Sequence, residues 1–340
     1  MLVRKKLEEQ EKKILAPYAS FSSSSKGREF PEEKCPLRTD FQKDRDKIIH
    51  SQAFRRLKHK TQVFISPAED YYRTRLTHTL EVSQVARTIS RSLGLNEDLT
   101  EAIALGHDLG HTPFGHSGED VLDDLLKNLG KKGFNHSEQS LRVVKHLERK
   151  GQGLNLCAEV LDGILHHPQK DPLHPKTLEG QVVRLADHIA YINHDLQDSI
   201  RAGIIKKNEI PQRAIKVLGR NIIDRLVKSV VSASFGRPQI IMHKTQKQAM
   251  DAIYNFLYER VYTNPEAKTE EGKTNHILKV LFNYYLENKK ALPKYQKKWD
   301  RDALILNVAD FIAGMTDRYA INKYVELFVP NDFHSRNVLI

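Results

Sequence analysis

"LGHDLGHTPFGHSGED", residues 105–120, crowds His107, His111 and His116 together with Asp108, Glu119 and several glycines into one short span. Folding alone gives little reason for this, since His and Asp are poor helix formers and Gly is worse. The residues on either side show how such a span can be held. Upstream, "RLTHTLEVSQVARTISRSL" (75–93) repeats Leu76, Leu80, Val85, Ile89 and Leu93 at helical spacing. Gly94 is a stop signal and Asn96 a cap for a second helix. That helix turns Leu99, Ala102, Ile103 and Leu105 inward and delivers His107 and Asp108 at its end.

Downstream, "FNHSEQSLRVVKHLE" (134–148), "LNLCAEVLDGILHH" (154–167) and "LEGQVVRLADHIAYINHDLQDSI" (178–200) read as amphipathic helices. So do "QRAIKVLGRNIIDRLVKSVV" (212–231), "QKQAMDAIYNFLYERVY" (246–262), "NHILKVLFNYYLE" (275–287) and "DALILNVADFIAGMTDRYAINKYVELF" (302–328). Strands do not alternate with helices, no period of 20–50 residues repeats and no Gly-rich phosphate loop occurs. The expected fold is all-α with additional C-terminal helices, and "SFGRPQIIMHK" (234–244) is read as a short β excursion near 235–243. The expected organisation is a basic, Ser-rich N-terminal arm (1–43), a core (44–205) and a C-terminal helical region (206–340) packed on it. The arm contains "SFSSSSKGREFPEEKCPLR" (20–38), which has little to bury and is expected to be irregular or mobile.

The 340 residues suffice for a large buried core. No apolar run approaches the ~18 residues that span a bilayer, and the charged "MLVRKKLEEQEKK" is no secretory signal. Cys35 and Cys157 form no metal-ligand spacing, so a cytoplasmic location without membrane partners is expected. The formal charge of +11 favours polyanionic partners such as nucleotides or nucleic acid without choosing among them.

A divalent ion in a nitrogen–oxygen site needs imidazoles and carboxylates converging from rigid elements. His78, the His107–Asp108 pair and Asp187 are the candidates. Adjacent helical residues point about 100° apart, so both members of the pair can reach one ion only where the helix ends. Gly110, Pro113 and Gly115 supply that ending. Asp187 lies among Val183, Ala186 and Ala190, where an uncompensated carboxylate would cost several kcal/mol. Tyr191 and Asp195 follow it at i+4 and i+8 as a polar stripe. His116 and Glu119 stand at i, i+3, an arrangement suited to acid–base work, while Ser117 is the plain alternative as a helix cap.

This set of residues resembles the HD superfamily of metal-dependent phosphohydrolases. "RDKIIHSQAFRRLKHKTQVF" (45–64), "RTRLTHTLEVSQVAR" (73–87), "ALGHDLGHTPFGHSGE" (104–119), "FNHSEQS" (134–140), "RLADHIAYINHDLQD" (184–198) and "DFIAGMTDRYA" (310–320) are similar to segments of the deoxynucleoside triphosphate triphosphohydrolases, or dGTPases. The resemblance implies one divalent ion, Mg²⁺ or Mn²⁺ ahead of Co²⁺, Ni²⁺ or Fe²⁺, held by His78, His107, Asp108 and Asp187. It implies hydrolysis of a dNTP, dGTP among them, to a deoxynucleoside and tripolyphosphate. By the same resemblance His116, Glu119, His111 and His136 are catalytic, and Gln62, Arg75, Tyr191, Asp195 and Arg55 contact substrate. It also implies a homo-oligomer and, as effector, a dNTP or single-stranded nucleic acid.

Two alternatives stand beside this reading. The order His78, His107–Asp108, His136, His166–His167, Asp187 is also the layout of binuclear HD phosphodiesterases, whose extra histidines hold a second metal. The "GYP"-type signature that accompanies cyclic dinucleotide hydrolysis is lacking, and "GILHHP" also reads as a helix end stopped by Pro168. The basic balance equally permits a nucleic-acid or dNTP-sensing module with weak hydrolysis. The sequence does not name the base.

Overall fold

The computed structural model describes residues 3–62, 72–262, 265–293 and 299–330, with the backbone alone at 265–269. Helices begin and end where local chemistry dictates. Thr74 and Thr77 form a reciprocal cap that starts the Arg75–Ser92 helix, and Gly94 leaves it at φ +67°. Asn96 then accepts hydrogen bonds from the amides of Asp98 and Leu99 and opens the Glu97–Gly106 helix. Thr177 caps the long Leu178–Arg201 helix. These three helices pack on one another and bury Val82, Val85, Ile89, Leu99, Ile103, Val183 and Ile189 in one core. Each such side chain contributes roughly 1.5–3 kcal/mol of transfer free energy.

Leu80 departs from the expected apolar stripe. It is half-exposed, and Val82 and Ala86 are buried instead, because the helix turns its Val82–Val85–Ile89 face to its neighbours. A second core joins Phe114, Val121, Leu122 and Leu126 to Leu278, Phe282, Ile305, Val308 and Ile312. The Gly115–Asn128 helix belongs to this second core, so the loop that precedes it bridges the two.

Among the described residues there is no strand, and none of the helices is long and apolar enough to cross a membrane. The β excursion expected near 235–243 is a turn with Gly236 at φ +71°, followed by extended chain. The amide and carbonyl of Ile241 are both bonded to the Ser234 hydroxyl, so side chains replace a strand partner. The N-terminal segment is irregular after its Val3–Ile14 helix, yet it is anchored rather than loose. Glu179 accepts from the Ser20 amide and hydroxyl, Glu11 from those of Ser22, and Arg28 pairs with the fully buried Asp44.

Candidate metal centre and active site

The Glu97–Gly106 helix ends with His107, still at helical φ −62° and ψ −38°, as its C-terminal cap, and Asp108 follows in a turn. Nδ1 of His107 lies 2.6 Å from the carbonyl of Ala104. A carbonyl can only accept, so in the neutral ring that nitrogen carries the hydrogen and Nε2 keeps its lone pair. His107 Nε2 is buried and unpartnered. The remaining candidates converge on it. Nε2 of His78 lies 3.1 Å from Asp187 Oδ1 and 3.9 Å from Asp108 Oδ2, and Nε2 of His107 lies 3.3 Å from Asp108 Oδ1 and 3.8 Å from Asp187 Oδ1.

Donor atoms about 2.1 Å from one divalent ion stand roughly 3 Å apart when adjacent and 4.2 Å when opposite. All four separations fall in that interval, and the orphaned imidazole lone pair is what a cation would satisfy. Burial opposes ionisation of Asp108, yet the Arg75 guanidinium and the hydrogen bond from His111 hold its carboxyl well below the usual range. Burial likewise opposes ionisation of Asp187, and the hydrogen bond from His78 outweighs it. Both carboxylates are therefore biased towards the ionised form that a cation needs.

Tyr191 and Asp195 stand one and two turns beyond Asp187 on the Leu178–Arg201 helix. Asp195 is fully buried; its Oδ2 accepts from the Tyr262 hydroxyl while its Oδ1 has no partner. Tyr191 stacks on Tyr262 with centroids 5.8 Å apart.

The proton-handling residues form a second cluster beside Asp108. Glu119 accepts from the backbone amide of His136 at 2.8 Å and lies 3.0 Å from its Nδ1, whereas Nδ1 of His116 is 3.5 Å away. Burial raises the Glu119 pKa, but His136 and His116 hold it far below the ordinary carboxylate range. His111 stacks on His136 at 4.0 Å, with its Nε2 3.3 Å from Asp108 Oδ1. Burial, with Arg75 and His136 nearby, keeps the His111 ring neutral. His116 itself is 61 % exposed, at the cleft mouth. Ser117 does not cap this helix, because its hydroxyl donates to Asn275; Phe114, at φ +63°, occupies the cap position.

Of the substrate-contact candidates, Arg75 is buried against Asp108 at 2.9 Å, with its Nε and one Nη free of partners. Gln62 is buried with Oε1 unpartnered. A Cβ placed on Gly115 would stand 3.5 Å from the Arg75 guanidinium and 3.4 Å from the Gln62 carbonyl, so the three meet. Arg55 is not brought to the cleft: it is exposed and donates to the carbonyl of His50.

An HD-domain model matches residues 75–192 and a phosphohydrolase-associated domain model matches 240–326. A deoxyguanosinetriphosphate triphosphohydrolase-like protein of Caldanaerobacter subterraneus subsp. tengcongensis is 54% identical over 99% of both chains. Proteins of the same description from Desulfatibacillum aliphaticivorans (48%) and Clostridium tetani (46%) match 97% of this chain and 99% and 97% of their own. The chain belongs to the deoxyguanosinetriphosphate triphosphohydrolase-like family. It is thus a metal-dependent HD-domain hydrolase.

Within this HD hydrolase several site residues escape sequence reasoning. Of the pair His166–His167, only His167 turns inward. Its Nδ1 is 2.7 Å from the carbonyl of Ile164 and its Nε2 is 3.2 Å from that of His136, while His166 pairs outward with Asp171. Arg184 holds the loop that carries His167, donating to the carbonyls of Leu173, Gln169 and Asp171. Tyr262 completes the Asp195 pair, and Lys60 turns inward although it sits in a basic run that reads as a solvated face. An inward Lys in "FRRLKHK" leaves no periodic signal, and Tyr262 lies 67 residues along the chain from Asp195.

Proposed function

We propose that this HD hydrolase converts a dNTP and water into a deoxynucleoside and tripolyphosphate. The observation that carries the reading is the Arg75 guanidinium, fixed on Asp108 with its remaining donors unpartnered, directly beside His78, His107 and Asp108, which form one potential ligand group that Asp187 adjoins. Buried, unsatisfied cationic donors of this kind suit a phosphate oxygen. The names of the relatives support a dNTP as substrate. A divalent cation held by His78, His107, Asp108 and Asp187 would supply Lewis acidity at the α-phosphate and acidify water there.

In this reading Arg75 binds and orients the phosphate chain. Asp195 Oδ1 accepts the sugar 3′-hydroxyl, and the Tyr191 ring packs close to C2′, where a ribose hydroxyl would not fit. Water attacks the α-phosphorus and loses a proton to solvent, the bond to the 5′-oxygen breaks with tripolyphosphate released, and His116, steadied by Glu119, gives that oxygen its proton and regains one from solvent. His136, held through Nδ1 by Glu119, donates from Nε2 in its protonated form to the phosphate oxygens on which charge accumulates, and His111 packs against its ring. Incubation with each dNTP and NTP, singly and in pairs, followed by chromatography tests the proposal. Tripolyphosphate with free deoxynucleoside supports it, and orthophosphate or pyrophosphate as the released product overturns it.

A two-cation phosphodiesterase is a second reading, favoured by one contact. Nδ1 of His136 and Nδ1 of His167 both face acceptors, so two Nε2 lone pairs oppose each other at 3.2 Å, a repulsive arrangement that a cation or a proton would relieve. Metal analysis separates the readings: one equivalent per chain supports the first, and two, with one lost in His167→Ala, support the second.

A further inference from the structure

Asp317 lies outside the residues considered so far, at the start of the Asp317–Phe328 helix, yet its carboxylate reaches two segments of the cleft. One oxygen accepts from the amide of Phe114 at 2.9 Å. The other accepts from the amide of Thr61 at 2.8 Å and from the Thr61 hydroxyl. Phe114 stands between His111 and His116 in a left-handed conformation, φ +63°, that a non-glycine residue adopts at a cost of about 1–2 kcal/mol unless its surroundings compel it. The Asp317 bond fixes this residue. Thr61 precedes Gln62 and forms an antiparallel bridge with Thr74, the residue before Arg75, whose amide donates to the carbonyl of Lys60 at 3.1 Å. Lys60, fully withdrawn from water, crosses the same gap and donates to the carbonyls of His111 and Ala313.

We infer that Asp317 is a positioning residue. Through Thr61 it sets Gln62 and Arg75, and through Phe114 it sets the loop from His111 to His116, so the C-terminal helices fix the anion-binding and proton-handling sides of the cleft relative to each other. Its hydrogen bonds go to Thr61 and Phe114, and none goes to His78, His107 or Asp187. Catalytic geometry tolerates little displacement, since misplacement by about 1 Å costs about a hundred-fold in rate. The inference rests on the proposed triphosphohydrolase reading for its kinetic readout, but not for its binding readout.

The test is Asp317→Asn, which keeps the shape but sets an amide NH₂ against one of the two backbone N–H groups. With dNTP as substrate, kcat is expected to fall about ten- to hundred-fold and KM to rise, while the Mn²⁺ content per chain and its affinity stay at the wild-type level. A role confined to stability would lower the melting temperature and leave kcat and KM of the folded enzyme unchanged, and that result overturns the inference. Should the variant fail to fold, Thr61→Val carries the test, because it deletes only the hydroxyl bond and should give a smaller loss of the same kind. Calorimetric binding of inorganic tripolyphosphate distinguishes the two failures. If the wild type binds it but hydrolyses no dNTP, and the variants bind it more weakly, the triphosphohydrolase reading fails and the positioning role stands. Unchanged tripolyphosphate affinity together with unchanged kinetics removes the role.

Discussion

Glu119 is bound more closely to His136 than to His116: the His136 ring nitrogen lies 3.0 Å from its carboxylate, and the His116 ring nitrogen, one turn away on the same helix, lies 3.5 Å from it. One carboxylate thereby steadies a half-buried and an exposed imidazole at once. Glu119→Gln is expected to disturb both and to lower kcat by about 10²–10³-fold, whereas His116→Ala lowers it by about 10²-fold, each with cation binding retained. Metal analysis and single-turnover rates on the same samples check this. Full kcat in His116→Ala would remove its proton-donor role.

Asp187→Ala or His107→Ala is expected to abolish both cation binding and turnover, because each removes a donor from a set whose separations already match one ion. In the wild type, adding Mn²⁺ at about a hundred times its Kd should stabilise the fold by about 2.7 kcal/mol. Differential scanning calorimetry with and without chelator reads this as a shift of several degrees. The two variants should show no such shift.

Asp195 connects function to stability through pH. Burial, opposed by the Tyr262 hydrogen bond, pushes its carboxyl up to about 7 from the ordinary 3.8. Between those values the folded chain keeps a proton that the unfolded chain has released, so this group lowers stability as pH rises from about 4 to 7. Asp195→Asn removes that slope and should stabilise the protein at pH 8 by up to about 4 kcal/mol. The same change should raise KM for a dNTP about ten-fold and narrow its advantage over the 2′,3′-dideoxy analogue. Denaturant melts at pH 5 and pH 8 and competition kinetics are the measurements.

Gly110 marks the place where the helix bearing His136 meets the HD loop. A Cβ there would stand 2.1 Å from the amide nitrogen of Ser140, whose hydroxyl joins the Gly110 amide to the carbonyl of His107. Gly110→Ala must push backbone from backbone, so a loss of about 1–3 kcal/mol is expected. Because the shift separates His136 from His107, activity should fall more than stability. Equal losses of both would contradict the close approach.

The sequence was legible where local chemistry acts alone. Gly94 and Asn96 bound their helices because left-handed turns and caps depend on neighbouring residues. The HD pair ends its helix because the glycines and proline that follow cannot continue it. The sequence singles out His78, His107, Asp108 and Asp187, because a carboxylate among Val183, Ala186 and Ala190 needs a compensating charge, and in the fold Asp187 lies 3.1 Å from His78 and Asp108 lies 3.3 Å from His107.

Tertiary structure decided what periodicity cannot encode. It chose His167 over His166, since the loop held by Arg184, not helical spacing, aims that ring. It turned Lys60 inward and left Arg55 and Leu80 at the surface, because each faces whatever element happens to pack beside it. It brought Asp317 to Thr61 across 256 residues. A carboxylate at a helix start is locally satisfied as a cap, and its sequence neighbourhood carries no mark of the distant amides it will receive; only the packing of the second core brings them within reach.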